Sequence, residues 1–154
     1  MRMVAMAAAL LVAGPVAAGE TTSELSFERF AYEQGPDHPL YCMYGYFASK
    51  TGAHGVAKEI FDRCVSEAKN PAAMVYLSLF YEEGLGVEQD LEKAEAIMRR
   101  AAEQGYSVAQ YHLGASLLQS AETEEDRLDA RHWLRKAADQ GDEDAARLLG
   151  QAEG

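Results

Sequence analysis

A seven-residue string occurs twice in the chain, almost unchanged. Arg99-Arg100-Ala101-Ala102-Glu103-Gln104-Gly105 returns as Arg135-Lys136-Ala137-Ala138-Asp139-Gln140-Gly141, 36 positions on. The offset holds on both sides of the string. Ala73 maps to Ala109, Leu77 to Leu113, Asp90 to Asp126, Ala94 to Ala130, Ile97 to Trp133 and Met98 to Leu134. A third copy begins: Ala109, Leu113 and Gly114 recur as Ala145, Leu149 and Gly150. A fixed period in this range, with apolar positions kept in register, marks a stacked-repeat architecture. Each unit of such an array buries its core against its neighbours, and the surface left over is mostly used for binding.

The unit reads as two antiparallel helices. Asn70-Pro71 is a helix start, with Asn as N-cap and Pro at the first helical position. Ala73, Leu77 and Phe80/Tyr81 follow at helical spacing up to Glu83, and Gly84-Leu85-Gly86-Val87 breaks the helix. Asp90 caps a second helix carrying Leu91, Ala94, Ile97/Met98 and Ala101 on one face, ended by Gly105 in a left-handed turn. In the next unit Ser107-x-x-Gln110 predicts a capping box, and the helix runs to about Gln119. A partner helix from about Glu125 to Gln140 buries Ala130, Trp133/Leu134 and Ala137, and Asp142 caps a short final helix. Upstream, Leu40–Lys50 and Val56–Lys69 form a divergent first hairpin around Thr51-Gly52-Ala53. The expected fold is all-α, an α/α superhelical repeat solenoid of about three helical hairpins plus a short C-terminal capping helix. Its units are 39–69, 70–105, 106–141 and a partial capping repeat over 142–154, within a domain spanning 39–154.

Residues 1–18 have the layout of a secretory signal peptide: Arg2, a short apolar run, Pro15 and the small-residue end Val16-Ala17-Ala18. Cleavage is expected after Ala18 or Gly19. The run is shorter than the roughly 20 apolar residues of a membrane span, so no stable membrane insertion is expected after cleavage. An unstructured Ala-rich N-terminus is the alternative. No Cys follows the cleavage site to carry a lipid anchor. Residues 19–38, with Leu25, Phe27 and Phe30, form an arm or a short helix.

Export to an oxidising compartment, periplasmic or extracellular, makes a disulfide the default for Cys42 and Cys64. Each lies 11 residues from Ala53, on opposite sides of the turn, so an antiparallel hairpin places them at one height. Closing that loop contributes roughly 3 kcal/mol in the chain-entropy view. Two buried free thiols are the alternative. The formal net charge of −11 disfavours nucleic acid and anionic membrane surfaces as partners, since both require basic patches.

No catalytic constellation stands out. His38, His54, His112 and His132 are scattered without metal-ligand spacing, and the Glu/Asp clusters sit at loops and helix starts, where they complement the helix dipole. No alternating-oxygen calcium loop and no phosphate loop is present, so neither a metal nor a cofactor is expected. Tyr41, Tyr44, Tyr46, Phe47, Tyr76, Phe80 and Tyr81 are core aromatics of the first two hairpins, or in part an exposed binding patch.

The recurring positions Ala73…Leu77…Tyr81-x-x-Gly84-x-Gly86-Val87-x-x-Asp90…Ala94…Ala101-Ala102-x-x-Gly105, and their second copy ending Lys136-Ala137-Ala138-x-x-Gly141, resemble the Sel-1-like repeat family, relatives of the tetratricopeptide repeat. The likeness covers about Asn70 to Gly150, is weak in the first hairpin and is absent before Pro39. Ser78 stands where the family prefers Gly, Ile97 where it prefers Trp, and the second copy lacks the loop glycines. The resemblance implies a concave scaffold or adaptor that binds another protein or peptide of the cell envelope. Exported bacterial members serve exopolysaccharide assembly, motility, secretion-related processes or host interaction. An envelope hydrolase acting on cell-wall material, and a purely structural subunit of an envelope complex, are the competing functions.

In the relatives, first helices line the groove. With Leu77 and Leu113 pointing inward, residues two before and two after share another face, roughly 200° away at 3.6 residues per turn. Val75, Leu79, Tyr111 and Ala115 lie there, and with Glu82 and Gln119 they are the candidate partner contacts.

Overall fold

The computed structural model describes Gly35, His38 and residues 40–153. The expected signal peptide and nearly all of the arm over 19–38 lie outside the described residues. Seven helices follow one another: α1 Tyr41–Lys50, α2 His54–Ser66, α3 Pro71–Glu83, α4 Leu91–Glu103, α5 Ser107–Ser120, α6 Glu124–Asp139 and α7 Glu143–Glu153. No strand is present among them. Each helix packs against its neighbours in chain order, and α3 also touches α5 as α5 touches α7. This is the contact pattern of a solenoid, in which the first helix of one unit meets the first helix of the next. The architecture is the all-α repeat solenoid expected, with α7 as the last helix described.

Local chemistry explains most helix ends. The Asn70 side chain accepts from the Ala73 N–H at 3.1 Å, Asp90 from Lys93 at 2.9 Å and Asp142 from Ala145 at 2.9 Å. The turns after α4 and α6 are copies. Gly105 and Gly141 take φ of +86° and +91°, and the Tyr106 and Asp142 N–H groups donate back to Ala101 and Ala137. One expected cap is not formed. Tyr106 is the N-cap of α5 and makes no side-chain cap bond. Gln110 is buried; its amide N–H donates to the Ala102 carbonyl at 3.0 Å and its Oε1 accepts from Gln140 Nε2 at 2.6 Å. A buried amide must find partners, and these two outcompete a solvated cap. The capping box lies instead at Thr123 and Asp126, starting α6.

The core runs through the stack. Phe61, Met74, Phe80 and Leu113 are fully buried in one cluster that extends from α1 to α6. Phe61 stacks on Tyr76 at 5.3 Å and meets Phe80 edge-on. The repeat-equivalent Ala73, Ala109 and Ala145 are all buried, as are Leu77 and Leu113. Leu134, Ala137 and Ala145 form a second cluster towards α7. Cys42 on α1 and Cys64 on α2 are paired as a disulfide, with Cα atoms 5.9 Å apart.

Candidate functional site

The helices splay where α3, α4 and α5 meet, leaving a cleft of about 500 Å³. Its lining is Ser78 and Glu82 of α3, Leu91, Ala94, Glu95 and Met98 of α4, and His112, Leu113, Ala115, Ser116, Gln119 and Ser120 of α5. Small residues set the depth: the Ser78 hydroxyl donates to the Ala94 carbonyl at 2.8 Å, drawing α3 and α4 together beneath it. Serine at this position therefore ties the two helices by a side-chain hydrogen bond, where the resemblance prefers glycine.

The cleft brings together three of the six candidate contacts, Glu82, Ala115 and Gln119. The other three lie elsewhere. Val75 is only 5% exposed and belongs to the main core, so it faces neighbouring helices and cannot offer a partner surface. Leu79 is half-buried against the same core. Tyr111 is half-buried against the cluster of Leu134, Ala137 and Ala145. Of the four residues selected by stepping from Leu77 and Leu113, the cleft takes in Ala115 alone; Glu82 and Gln119, candidates beside those four, also line it. The α4 lining residues Leu91, Glu95 and Met98 were missed, because only first helices were considered.

The electrostatics are lopsided. Arg99 donates to Glu95 at 2.9 Å and lies 3.7 Å from Asp129. The hydrogen bond to Glu95 is the main cause of the guanidinium being held above its usual range. Glu95 is therefore largely compensated. The Glu82 carboxylate has no ion pair among the described residues, which leaves one free negative group on the rim. His112, exposed at the other wall, shares the lining with these carboxylates, a His–carboxylate grouping that sequence reasoning did not find. No hydrogen bond joins them. Among the described residues no cluster of His, Cys, Asp and Glu could hold a metal ion, and no helix is long and apolar enough to cross a membrane. The lining combines the apolar Leu91, Ala94, Met98 and Leu113, hydroxyl and amide groups on α5, and carboxylates at the edge.

A shallower depression runs along the loop from Val87 to Glu92 beside Tyr81, with Glu88, Asp90 and Glu92 on it. Lys93 sits 4.1 Å from the Tyr81 ring centroid and anchors that surface.

A family model described as Sel1 repeat matches residues 71–106 and 107–142. Among solved structures, the chain is similar to a Sel1 repeat protein from Oxalobacter formigenes, at 30% identity and a TM-score of 0.61. That match covers 71% of this chain and 45% of the other. It is also similar to c5321, a protective antigen present in uropathogenic Escherichia coli strains displaying an SLR fold, at 27% identity and a TM-score of 0.66. There 80% of this chain matches 27% of the other. The chain thus spans less than half the length of one and about a quarter of the other. No curated protein matches it.

Proposed function

The chain carries two Sel1 repeats, a module that generally mediates binding between proteins, and from that premise we propose that it is an exported scaffold whose α3–α4–α5 cleft holds a segment of a partner protein. The observation that carries this reading is the cleft itself, formed where two repeats meet and lined by both. A partner residue with a small apolar side chain would lie over Met98 and Ala115, and a Lys or Arg would meet Glu82. Supporting export are the signal-peptide layout of residues 1–18 and the Cys42–Cys64 pair. An exported chain would find its partner in the cell envelope, in exopolysaccharide assembly, motility or secretion.

The test is capture of partners from an envelope extract by the wild-type chain and by Ala115→Arg combined with Glu82→Lys. The double variant fills the cleft and reverses the rim charge on partly exposed positions, so its helical circular dichroism should be unchanged. Captured partner should drop at least tenfold; equal capture would remove the cleft from the interface. The grouping of His112 with Glu82 favours one further assay, for cell-wall hydrolysis. Turnover that disappears in His112→Ala would replace the scaffold reading with a hydrolase.

A further inference from the structure

We propose that the partner segment in the cleft is basic and runs on across Leu91 into the depression along residues 87–92, with an Arg or Lys on each side of an apolar residue; this rests on the cleft reading above. Leu91 lines both hollows and, at 62%, is the most exposed large hydrophobic among the described residues. It belongs to two concave surfaces at once and offers an apolar contact to a segment lying in both.

The charges around Leu91 are of one sign. Glu82 stands on the cleft side, and Glu88 and Glu92 on the other. All three are exposed, and none is in an ion pair with a described residue. The nearby cations are already engaged: Arg99 with Glu95, Lys58 with Asp62, and Lys93 over the Tyr81 ring. The surface is also held in shape. The Asp90 N–H donates to the Tyr81 carbonyl at 2.9 Å, and Gln89 Nε2 donates to the Glu82 carbonyl at 2.7 Å. These bonds pin the loop to the end of α3, so binding here orders little of the protein.

The second repeat shows what such a carboxylate takes. Glu88, Leu91 and Glu95 map, 36 positions on, to Glu124, Arg127 and Arg131. Both arginines pair with the Glu124 carboxylate. Glu124 is also the first residue of α6, whereas Glu88 lies in the loop before α4. In the first unit the carboxylate remains, Leu91 and Glu95 stand where the arginines were, and a hollow lies beside the loop. Basic groups of a partner take the part that Arg127 and Arg131 play within the chain. Charge-assisted bonds to carboxylates favour arginine, and an acidic segment is repelled. Met98 to Leu91 is roughly 10 Å along α4, and Leu91 to Val87 at most about 14 Å. An extended peptide of nine residues, about 30 Å long, covers both.

Three labelled nine-residue peptides test this: alternating arginine and leucine, and the same with glutamine or with glutamate for arginine. Binding is read by fluorescence anisotropy at physiological salt. The arginine peptide should bind the wild-type chain at least tenfold more tightly than the glutamine peptide, and the glutamate peptide should not bind. Glu88→Gln with Glu92→Gln, and separately Ala115→Arg, should each weaken the arginine peptide at least tenfold. So should Leu91→Arg with Glu95→Arg, which transplants the arginines of the second repeat; α6 carries both, so helical circular dichroism should be retained. No binding of the arginine peptide, equal binding of the glutamine peptide, or equal affinity in every variant would overturn the proposal. Loss in Ala115→Arg alone would overturn it and leave the cleft reading standing. Loss in the carboxylate variant alone would overturn the cleft reading, and this proposal with it.

Discussion

A single missing methyl group sets how closely α5 and α6 approach. A Cβ at Gly114 would stand 2.8 Å from Leu134 Cγ and 3.0 Å from the Ala130 carbonyl oxygen, one of them backbone that cannot yield cheaply. Gly114→Ala is expected to cost about 1–3 kcal/mol by overpacking, read in urea unfolding. Gly150 is the repeat-equivalent residue, and a Cβ there meets nothing within 4 Å. Gly150→Ala should be neutral or stabilising by up to about 1 kcal/mol, because it replaces a helix glycine. Equal effects at the two positions would contradict the close-approach account. The echo of Leu113-Gly114 as Leu149-Gly150 was legible in the sequence. That only the first is crowded was not, since crowding depends on a second helix that follows α5 and none that is described packs on Gly150. Gln110 shows the same limit. Ser107-x-x-Gln110 has the local spacing of a cap, but the partner that decides its fate, Gln140, lies 30 residues on.

At the scale of elements, the start of α6 is its most explicit signal. Asp126 Oδ2 accepts from the Thr123 N–H at 2.8 Å and from the Thr123 hydroxyl, while Thr123 Oγ1 accepts from the Asp126 N–H. These bonds hold the Asp126 carboxyl below its ordinary range. Glu124, hydrogen-bonded to Arg131 and Arg127, is likewise lowered. For groups with a lowered folded-state pKa, the stabilisation is fully present above the ordinary carboxylate range and is lost as pH falls through the lowered values. Protection of the first-turn amides of α6, taken relative to their intrinsic exchange rates, should therefore fall on acidification through that window, while that of the first turn of α5, which has no carboxylate cap, should change less. Thr123→Ala should cost about 1 kcal/mol, and Ser107→Ala much less, because Ser107 caps nothing. Similar losses would argue that the α5 start is capped after all. Helix existence was readable from period and caps; the partner face was not. Val75 and Leu79 differ by one turn on α3, yet Val75 is buried and Leu79 only half-buried, and no single-helix rule contains that information.

At the scale of the molecule, stability is distributed from end to end. In the two units matched by the Sel1 repeat model, three of the four helices start with a side-chain cap, whereas the first hairpin has no side-chain cap on either helix. The Cys42–Cys64 bridge lies in that hairpin. Replacing both by Ser should remove about 3 kcal/mol, with amides of α1 and α2 losing protection before those of α3 to α6. Mass spectrometry of exported protein that shows no loss of two hydrogens would dissolve the bridge. The period, and with it the stack, was visible from sequence because every repeat solves the same packing problem. The cleft was only half visible because it belongs to no repeat and arises between two of them.

Contacts that link each helix only to the next one or two along the chain have a mechanical meaning. Among the described helices no strong contact joins distant segments as a clasp across the array. A pull on the two ends is borne by the interfaces in series, so helical pairs would detach one after another at similar modest forces, and the crosslinked first pair would keep its 22-residue loop closed while the rest pays out. Such a body behaves as a short spring with one inextensible link at its head.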